Sequence, residues 1–199
     1  ESRLKIRTAL GVPSALPLIG MVARFDSCKD HSNLLAALSW LVRRNLDFRV
    51  ALVGAGNDDY NLSLVERIKI LGLTSRCYLL GSRSDIPSIM NAIDIHVLSS
   101  LTEAFPNVLA EAMACETPCV TTDVGDAALI VSDNGWIVPP CNSLSLAQAL
   151  YLALTSLADS GSWTLRKTAC RRHITTKFSI EQMVARYNAV WQRLARIDA

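Results

Sequence analysis

The sequence lacks the features that mark several large classes of protein. Its 20 basic and 18 acidic residues leave a formal charge of only +2, which is too even for a protein that holds nucleic acid through its phosphates. It has no apolar run of about 18 residues that could cross a bilayer and no signal peptide. We therefore expect a soluble, cytoplasmic protein that does not bind nucleic acid.

Patterns for metal ions and catalytic triads are also missing. The six cysteines form no Cys-x2-Cys pair, and no histidine stands at a zinc-finger spacing from them. No Asp-x-Asp follows a predicted strand to hold a divalent metal against a diphosphate. The three histidines have no nearby Ser or Cys arrangement that suggests a triad. We predict no metal ion and no other cofactor, and we interpret the cysteines as small buried side chains in a reducing compartment.

The sequence does contain short apolar runs that alternate with longer segments of helical period. The runs are apolar on consecutive residues, as strands buried on both faces require. They lie at residues 18–23, 48–53, 77–80, 93–98, 118–122 and 136–138. A strand–helix alternation repeated about six times predicts a doubly wound, Rossmann-like α/β domain with a parallel sheet. In this class, ligands bind at the carboxyl ends of the strands.

The two ends of the chain differ from its middle. Residues 1–11 look like the last turns of a helix, followed by prolines, so we interpret 1–15 as the remnant of an interdomain linker and 16–199 as one domain of a longer protein. From about residue 144 the chain is mainly helical. Its final helix carries one apolar stripe that includes Tyr187 and Trp191. Either this domain or a second, absent domain must cover such aromatics.

The loop after the fourth predicted strand contains two glutamates, Glu103 and Glu111. Pro106 between them suits the first turn of a helix, where its missing N–H costs nothing. The free amides of Asn107 and Val108 would then form a helix N-terminus that attracts anions. Alanines flank Glu111, so we expect water to reach it poorly and two adjacent sugar hydroxyls to satisfy its oxygens. Alternatively, both glutamates only favour the positive end of the helix dipole.

Cations occupy the loop after the first predicted strand. Arg24 leaves the strand end, and Lys29 lies near the start of the next helix. An arginine fork and a lysine point charge together suit a diphosphate, although each alone could be an ordinary surface cation. After the third strand, the backbone at Arg83 could meet a base or form a plain turn. Gly125 follows the fifth strand, where it could contact a ligand or precede a helix.

Residues 103–114, with their two glutamates separated by seven residues, resemble the signature of family 4 glycosyltransferases. The similarity includes Gly20 to Arg24 with Lys29, and residues 80–87 and 92–98, in the same order and spacing. It covers most of the chain, from about Leu16 to Trp191. Such enzymes have two Rossmann-like domains facing a cleft, the B-type fold, and this chain resembles the C-terminal, donor-binding one. The acceptor site, and any contact with a membrane surface, would belong to the N-terminal domain.

The resemblance implies transfer of a sugar from a nucleoside diphosphate sugar to an acceptor hydroxyl of a glycan, lipid or polysaccharide. The anomeric configuration would be retained, and no metal ion would be needed. Arg24 and Lys29 would hold the diphosphate, and Glu103 would contact the transferred sugar. Cations at the diphosphate stabilise the charge that develops as the sugar departs. We therefore assign these three residues to catalysis.

Further donor contacts are also implied by the resemblance. Glu111 would accept the ribose hydroxyls, the backbone near Arg83 would meet the base, and Gly125 lies in a loop expected near the sugar. The backbone from Phe105 through Asn107 to Val108 would seat the phosphate and the sugar. Two positions depart from the family pattern: Ala104 replaces a usual glycine, and Gly125-Asp126 replaces a commoner pair of glycines.

Three other functions remain open from the sequence. A sugar-nucleotide epimerase of the same architecture would act on the donor without an acceptor. A non-catalytic nucleotide-binding domain would bind without turnover. A nicotinamide-dependent oxidoreductase is disfavoured, because Asp59 occupies the third glycine position of the dinucleotide fingerprint that begins at Gly54.

Overall fold

The computed structural model describes residues 2–195, and within them six parallel strands form one sheet in the order β3-β2-β1-β4-β5-β6. The strands are β1 (Leu18–Val22), β2 (Arg49–Val53), β3 (Cys77–Leu79), β4 (Ile95–Leu98), β5 (Cys119–Thr122) and β6 (Trp136–Val138). The helices are α1 (Ser2–Ala9), α2 (His31–Val42), α3 (Leu62–Ile70), α4 (Ile86–Ala92), α5 (Asn107–Ala114), α6 (Ala127–Val131), α7 (Ser143–Leu157), α8 (Ser160–Lys177) and α9 (Ile180–Ala195). The predicted doubly wound α/β class is confirmed.

The strand bounds differ from the predicted ones by at most two residues. The largest shift is at β4, which begins at Ile95 rather than Ile93. Ile93 is instead the C-cap residue that follows α4, and its N–H donates to the carbonyl of Ile89. An apolar residue at a helix end and one at a strand start look alike in sequence.

Both faces of the sheet are covered by apolar side chains. On one face, β1 contributes Ile19 and Met21 to a cluster with helices α2, α3 and α7. On the other, Leu18 packs in a cluster formed with α4, α5, α6 and α8. Because neither face meets water, the strands carry apolar residues without alternation. This is the pattern that made them recognisable in the sequence.

The chain reverses its direction of travel across the sheet between β1 and β4. It proceeds outward from β1 through β2 to the edge strand β3, and then returns to β4 on the other side of β1. Strands β1 and β4 pair at only two positions, Ile19 with Ile95 and Gly20 with His96. Beyond these positions, the Nε2 of the buried His96 ring accepts a 3.4 Å hydrogen bond from the Val22 N–H. The carboxyl ends of β1 and β4 are therefore the switch point of the sheet, where such sheets bind ligands.

The N-terminal segment is helical, as predicted, and it packs on α4. Arg7 on α1 is only 2% exposed and donates to Asp94 Oδ2 at 3.1 Å and to the carbonyls of Ala92 and Pro13. Asp94 Oδ2 also accepts a hydrogen bond from the Leu18 N–H at 2.8 Å. A buried guanidinium with this many partners anchors α1 to the start of the sheet.

The last helix does not pack on the domain. The apolar residues along one side of α9 are between 45% and 73% exposed. These residues are Ile180, Met183, Val184, Tyr187, Val190, Trp191 and Leu194. The sequence left open whether this domain covers the apolar stripe of α9. That alternative is wrong, because α9 leaves the surface of the domain after α8 ends near Phe178.

Candidate functional site

The loops after β1 and β4 are tied together at the switch point. The Ser99 hydroxyl lies 2.9 and 3.0 Å from the carbonyls of Lys29 and Asp30, to which it donates. The Leu101 N–H donates to the carbonyl of Cys28 at 2.7 Å. Residues Ser27–Lys29 form one 3-10 turn, which leads into α2. The backbone of Lys29 is therefore fixed directly beside the loop that carries Glu103.

Lys29 and Glu103 form an ion pair at the centre of this arrangement. Lys29 Nζ lies 2.5 Å from Glu103 Oε1, and the two side chains are 17% and 12% exposed. The Ser100 hydroxyl donates to the same oxygen at 2.7 Å. The Ser100 carbonyl in turn accepts a 2.7 Å hydrogen bond from the Thr122 hydroxyl on β5. Charge-assisted hydrogen bonds in such a half-enclosed crevice hold both side chains in place.

Gly125 brings a third loop into contact with this centre. The N–H of its neighbour Asp126 donates to the Ala104 carbonyl at 2.9 Å. A Cβ on Gly125 would lie 2.3 Å from that carbonyl oxygen and 2.4 Å from the oxygen of Glu103, and the Gly125 φ is +53°. Only glycine permits this approach. Ala104, which departs from the family pattern, has an ordinary negative φ, so its methyl group strains no backbone.

The N-terminus of α5 opens into the same region. The helix begins at Asn107, with Pro106 as the N-cap residue rather than in the predicted first turn. The amides of Asn107 and Val108 have no hydrogen-bond partner within residues 2–195, and no side chain caps the helix. Phe105, just before it, is partly exposed and packs its ring 5.8 Å from that of Phe178. These free amides are available to an anion.

Glu111 is exposed to solvent, so the prediction that water reaches it poorly is wrong. Helix α5 buries Leu109, Ala112 and Met113 on one side, and Glu111 lies on the opposite side. Flanking alanines in the sequence do not enclose a helical residue, because neighbours in sequence point in different directions. Its carboxylate forms no ion pair with any residue that the structure describes.

Neither Arg24 nor Arg83 forms an ion pair with Glu103; each pairs with an aspartate close to it in sequence. Arg24 is 66% exposed and its Nε lies 3.2 Å from Asp26 Oδ2. Hydrogen bonds from Cys28, its thiol first, together with Arg24 lower the pKa of Asp26 to about 2. Arg83 forms a bidentate pair with Asp85 at 2.8 and 2.7 Å, beyond the edge strand β3. The structure therefore brings Lys29, Glu103 and the Gly125 loop into contact, and leaves both arginines and Glu111 outside that contact.

Two polar residues of the site were missed in the sequence. The Ser100 hydroxyl donates to Glu103. The one feature of the sequence that could have indicated this residue is the pair of serines directly after a buried strand. Asn57 is fully buried beneath the loop after β1, where its Nδ2 donates to the Ala23 carbonyl at 2.7 Å. A single asparagine in a loop has no periodic signal, and its partner lies 34 residues away.

Other features bear on what the site can hold. Within residues 2–195, no three His, Cys, Asp or Glu side chains are grouped so that they could hold a metal ion. All six cysteines are free thiols. Over the same stretch of chain, none of the helices combines the length and apolar character needed to span a membrane.

The model of the family described as Glycosyl transferases group 1 matches residues 16–156. The chain belongs to this family. It is 32% identical over 160 residues to D-inositol 3-phosphate glycosyltransferase of Saccharomonospora viridis, which covers 75% of this chain and 37% of that protein. It is 29% identical over 172 residues to the UDP-Gal:alpha-D-GlcNAc-diphosphoundecaprenol alpha-1,3-galactosyltransferase of Escherichia coli, covering 82% of this chain and 42% of that enzyme.

Solved structures of other proteins share the fold. A glycosyltransferase from Rickettsia africae superimposes with a TM-score of 0.85 at 27% identity, over 97% of this chain and 52% of that one. Anabaena HepE in complex with UDP-glucose gives 0.80 at 28% identity, over 95% of this chain and 52% of that one. The chain thus spans about half the length of these structures and half or less of the first curated relatives it matches.

Proposed function

We propose that the chain is the donor-binding domain of a glycosyltransferase and holds a nucleoside diphosphate sugar above β1 and β4. The observation that carries the proposal is the Lys29–Glu103 ion pair, whose glutamate lies in the loop that leads directly into the uncapped N-terminus of α5. A cation and free amides suit a diphosphate, and a carboxylate beside them suits sugar hydroxyls. Anabaena HepE, similar over 95% of this chain, has been solved with UDP and with UDP-glucose.

The parent enzyme would transfer the sugar to an acceptor hydroxyl with retention of configuration. As the glycosidic bond breaks, negative charge grows on the leaving diphosphate. Lys29, Arg24 and the amides of Asn107 and Val108 would stabilise that charge without a metal ion. Arg24 must turn away from Asp26 to take part, which its exposed position allows. Glu103 would orient the sugar as its bond to the diphosphate lengthens.

The outer contacts would select the nucleoside. The exposed carboxylate of Glu111 can accept both ribose hydroxyls, each with one oxygen. The turn at Arg83 would present backbone groups to the base, with its side chain occupied by Asp85. The Gly125 loop would lie along the sugar. The acceptor site would lie in a part of the parent enzyme outside this chain. The chain alone is therefore proposed to bind the donor without completing transfer.

Calorimetry and thermal denaturation of the 199-residue chain test the proposal. Each of UDP, GDP, ADP, CMP and NAD is titrated, followed by the sugar conjugates of any nucleotide that binds. Ligand at about 100 times its dissociation constant should stabilise the fold by roughly 2.7 kcal/mol. Lys29→Ala should weaken the binding of a nucleoside diphosphate by about 1–3 kcal/mol and leave the binding of the nucleoside unchanged. Lys69→Ala, an exposed lysine on α3, is the matched control.

Failure of every nucleoside diphosphate to bind would overturn the proposed donor site. Turnover by the full-length enzyme separates the other functions left open by the sequence. Release of free nucleotide and a 2-epimer without an acceptor would indicate an epimerase, and binding without any turnover would indicate a non-catalytic domain. The anomeric configuration of a transferred sugar, read by NMR, tests retention.

A further inference from the structure

Asn57 joins the loops that follow β1 and β2. Its side chain is fully buried, and its Nδ2 donates to the Ala23 carbonyl at 2.7 Å. Ala23 is the residue directly before Arg24, so this bond fixes the peptide plane from which the Arg24 side chain leaves the strand. The Phe25 N–H, on the other side of Arg24, donates to the carbonyl of Ala55 at 2.7 Å. The backbone is therefore held on both sides of Arg24 by the loop that contains Asn57.

The backbone of Asn57 also connects to the loop after β3. The Gly81 N–H donates to the Asn57 carbonyl at 2.7 Å, and the Gly81 carbonyl accepts from the Gly54 N–H at 2.7 Å. Gly54 has no room for a side chain, because a Cβ there would lie 2.3 Å from the oxygen of Ala23. Three loops on neighbouring strands are thus packed backbone to backbone around one carboxamide.

At the other end of the β1–α2 loop, the His31 ring packs back onto the start of the loop. The ring is 4% exposed and packs 4.9 Å from the ring of Phe25. Burial lowers the pKa of His31 to about 4, against the opposing effects of the Asn57 side chain and of Asp30. The Asn57 Oδ1 and both ring nitrogens of His31 are buried, and none of the three atoms has a hydrogen-bond partner among the described residues.

We propose that Asn57 is a positioning residue of the donor site. Its carboxamide holds the Ala23 end of the β1–α2 loop, and the buried His31 ring packs on Phe25 from the other end. Together they set where Arg24 and Lys29 meet the diphosphate. Between these anchors, Lys29 is one residue from Asp30 and two from His31, on a single 3-10 turn. A shift of either anchor moves that turn relative to Glu103. The proposal rests on the proposed function for its effect on binding, but the link between the loops is independent of any ligand.

The test compares three variants of the 199-residue chain. Asn57→Leu keeps the side-chain volume and removes both polar groups. His31→Ala removes the ring that packs on Phe25, and it serves if the first variant does not fold. Asn61→Ser is the matched control, because the Asn61 side chain bonds only to nearby residues, Gly56, Ser63 and Leu64, and serine can still cap α3.

Two readouts are measured on each variant that keeps native circular dichroism. The first is amide hydrogen exchange of residues 24–30 in the free protein. We expect it to rise about tenfold in Asn57→Leu and less in His31→Ala, while β1 stays protected. The second is calorimetric affinity for the nucleoside diphosphate and for its nucleoside. We expect roughly a tenfold loss for the diphosphate and little change for the nucleoside. The control should move neither readout.

Each result decides one part of the proposal. Unchanged exchange in residues 24–30 overturns the link between the loops. Faster exchange with an equal loss for diphosphate and nucleoside overturns the role in aiming Arg24 and Lys29, because a general loosening of the domain would affect both ligands alike. If the unchanged protein binds no nucleoside diphosphate, the proposed function fails, and the exchange data alone then support or overturn the link.

Discussion

Removing a negative charge from the crevice should strengthen its binding of a nucleoside diphosphate. Glu103 holds Lys29 at 2.5 Å in the absence of ligand, so a diphosphate must compete with this carboxylate for the ammonium group. It must also lie close to a like charge. Two unit charges about 5 Å apart interact by roughly 3 kcal/mol at an effective dielectric constant of about 20. Partial exposure and salt reduce this figure, and we expect about 1–2 kcal/mol in practice.

The variant is Glu103→Gln, which keeps the shape of the side chain and an oxygen for the Ser100 hydroxyl. Calorimetry at low salt should show the nucleoside diphosphate binding about 5- to 30-fold more tightly, since each 1.4 kcal/mol is a factor of ten. Turnover by the full-length enzyme should fall, because a neutral carboxamide cannot orient the sugar as a carboxylate does. Glu66→Gln, on the exposed side of α3, should leave the affinity unchanged.

An affinity for the diphosphate that is equal or weaker in Glu103→Gln would refute this reasoning. It would mean that the ligand does not compete for Lys29, and that the ion pair is structural rather than part of the diphosphate site. The gain should also shrink as salt rises, because screening weakens the repulsion that the variant removes.

Three further predictions concern stability. The pKa of His31 is lowered to about 4, so the unfolded chain binds more protons than the folded one between roughly pH 4 and 6.5. The free energy of unfolding should therefore rise with pH across that window, on the order of 2–3 kcal/mol from this residue. His31→Phe should flatten this rise, as measured by urea titrations. In Gly125→Ala the new Cβ would lie 2.3 and 2.4 Å from two carbonyl oxygens, which should lower the free energy of unfolding by about 2–4 kcal/mol. Gly72→Ala, at φ +69° with open space around it, should lower it by only about 1 kcal/mol. Equal decreases would show that the loop facing Gly125 moves aside freely. Arg7→Met removes a buried partner of Asp94 and should lower stability by about 3 kcal/mol. Arg3 is more exposed, so Arg3→Met should lower it by only about 1 kcal/mol. The reverse order in thermal denaturation would contradict the anchoring of α1.

The sequence predicted the fold, and it indicated which loops form the candidate site, because both depend on local patterns. Consecutive apolar residues in each strand reflect a sheet covered on both faces, and the carboxyl ends of its strands indicate which loops meet. Lys29 and Glu103 were found because each lies in the loop that follows such a strand. Their 2.5 Å contact joins residues 74 positions apart, and no local pattern encodes it.

The errors have physical reasons of the same kind. Glu111 was expected to be shielded because its sequence neighbours are apolar, but on a helix the neighbours of a side chain are three and four residues away. Asn57 could not be recognised in the sequence, because its role lies in contacts with the distant residues Ala23 and Gly81. The apolar stripe of α9 was recognised correctly, yet amphipathic character alone does not say which surface a helix meets.

The Lys29–Glu103 pair has a consequence for turnover. A complete sugar nucleotide offers phosphate oxygens to the ammonium and hydroxyls to the carboxylate, so both members gain a new partner when the ion pair opens. After transfer, the remaining nucleoside diphosphate satisfies only Lys29, and Glu103 competes for that lysine again. On the proposed function, the resting ion pair would therefore favour release of the spent nucleotide, holding the substrate more firmly than the product and limiting inhibition by that product.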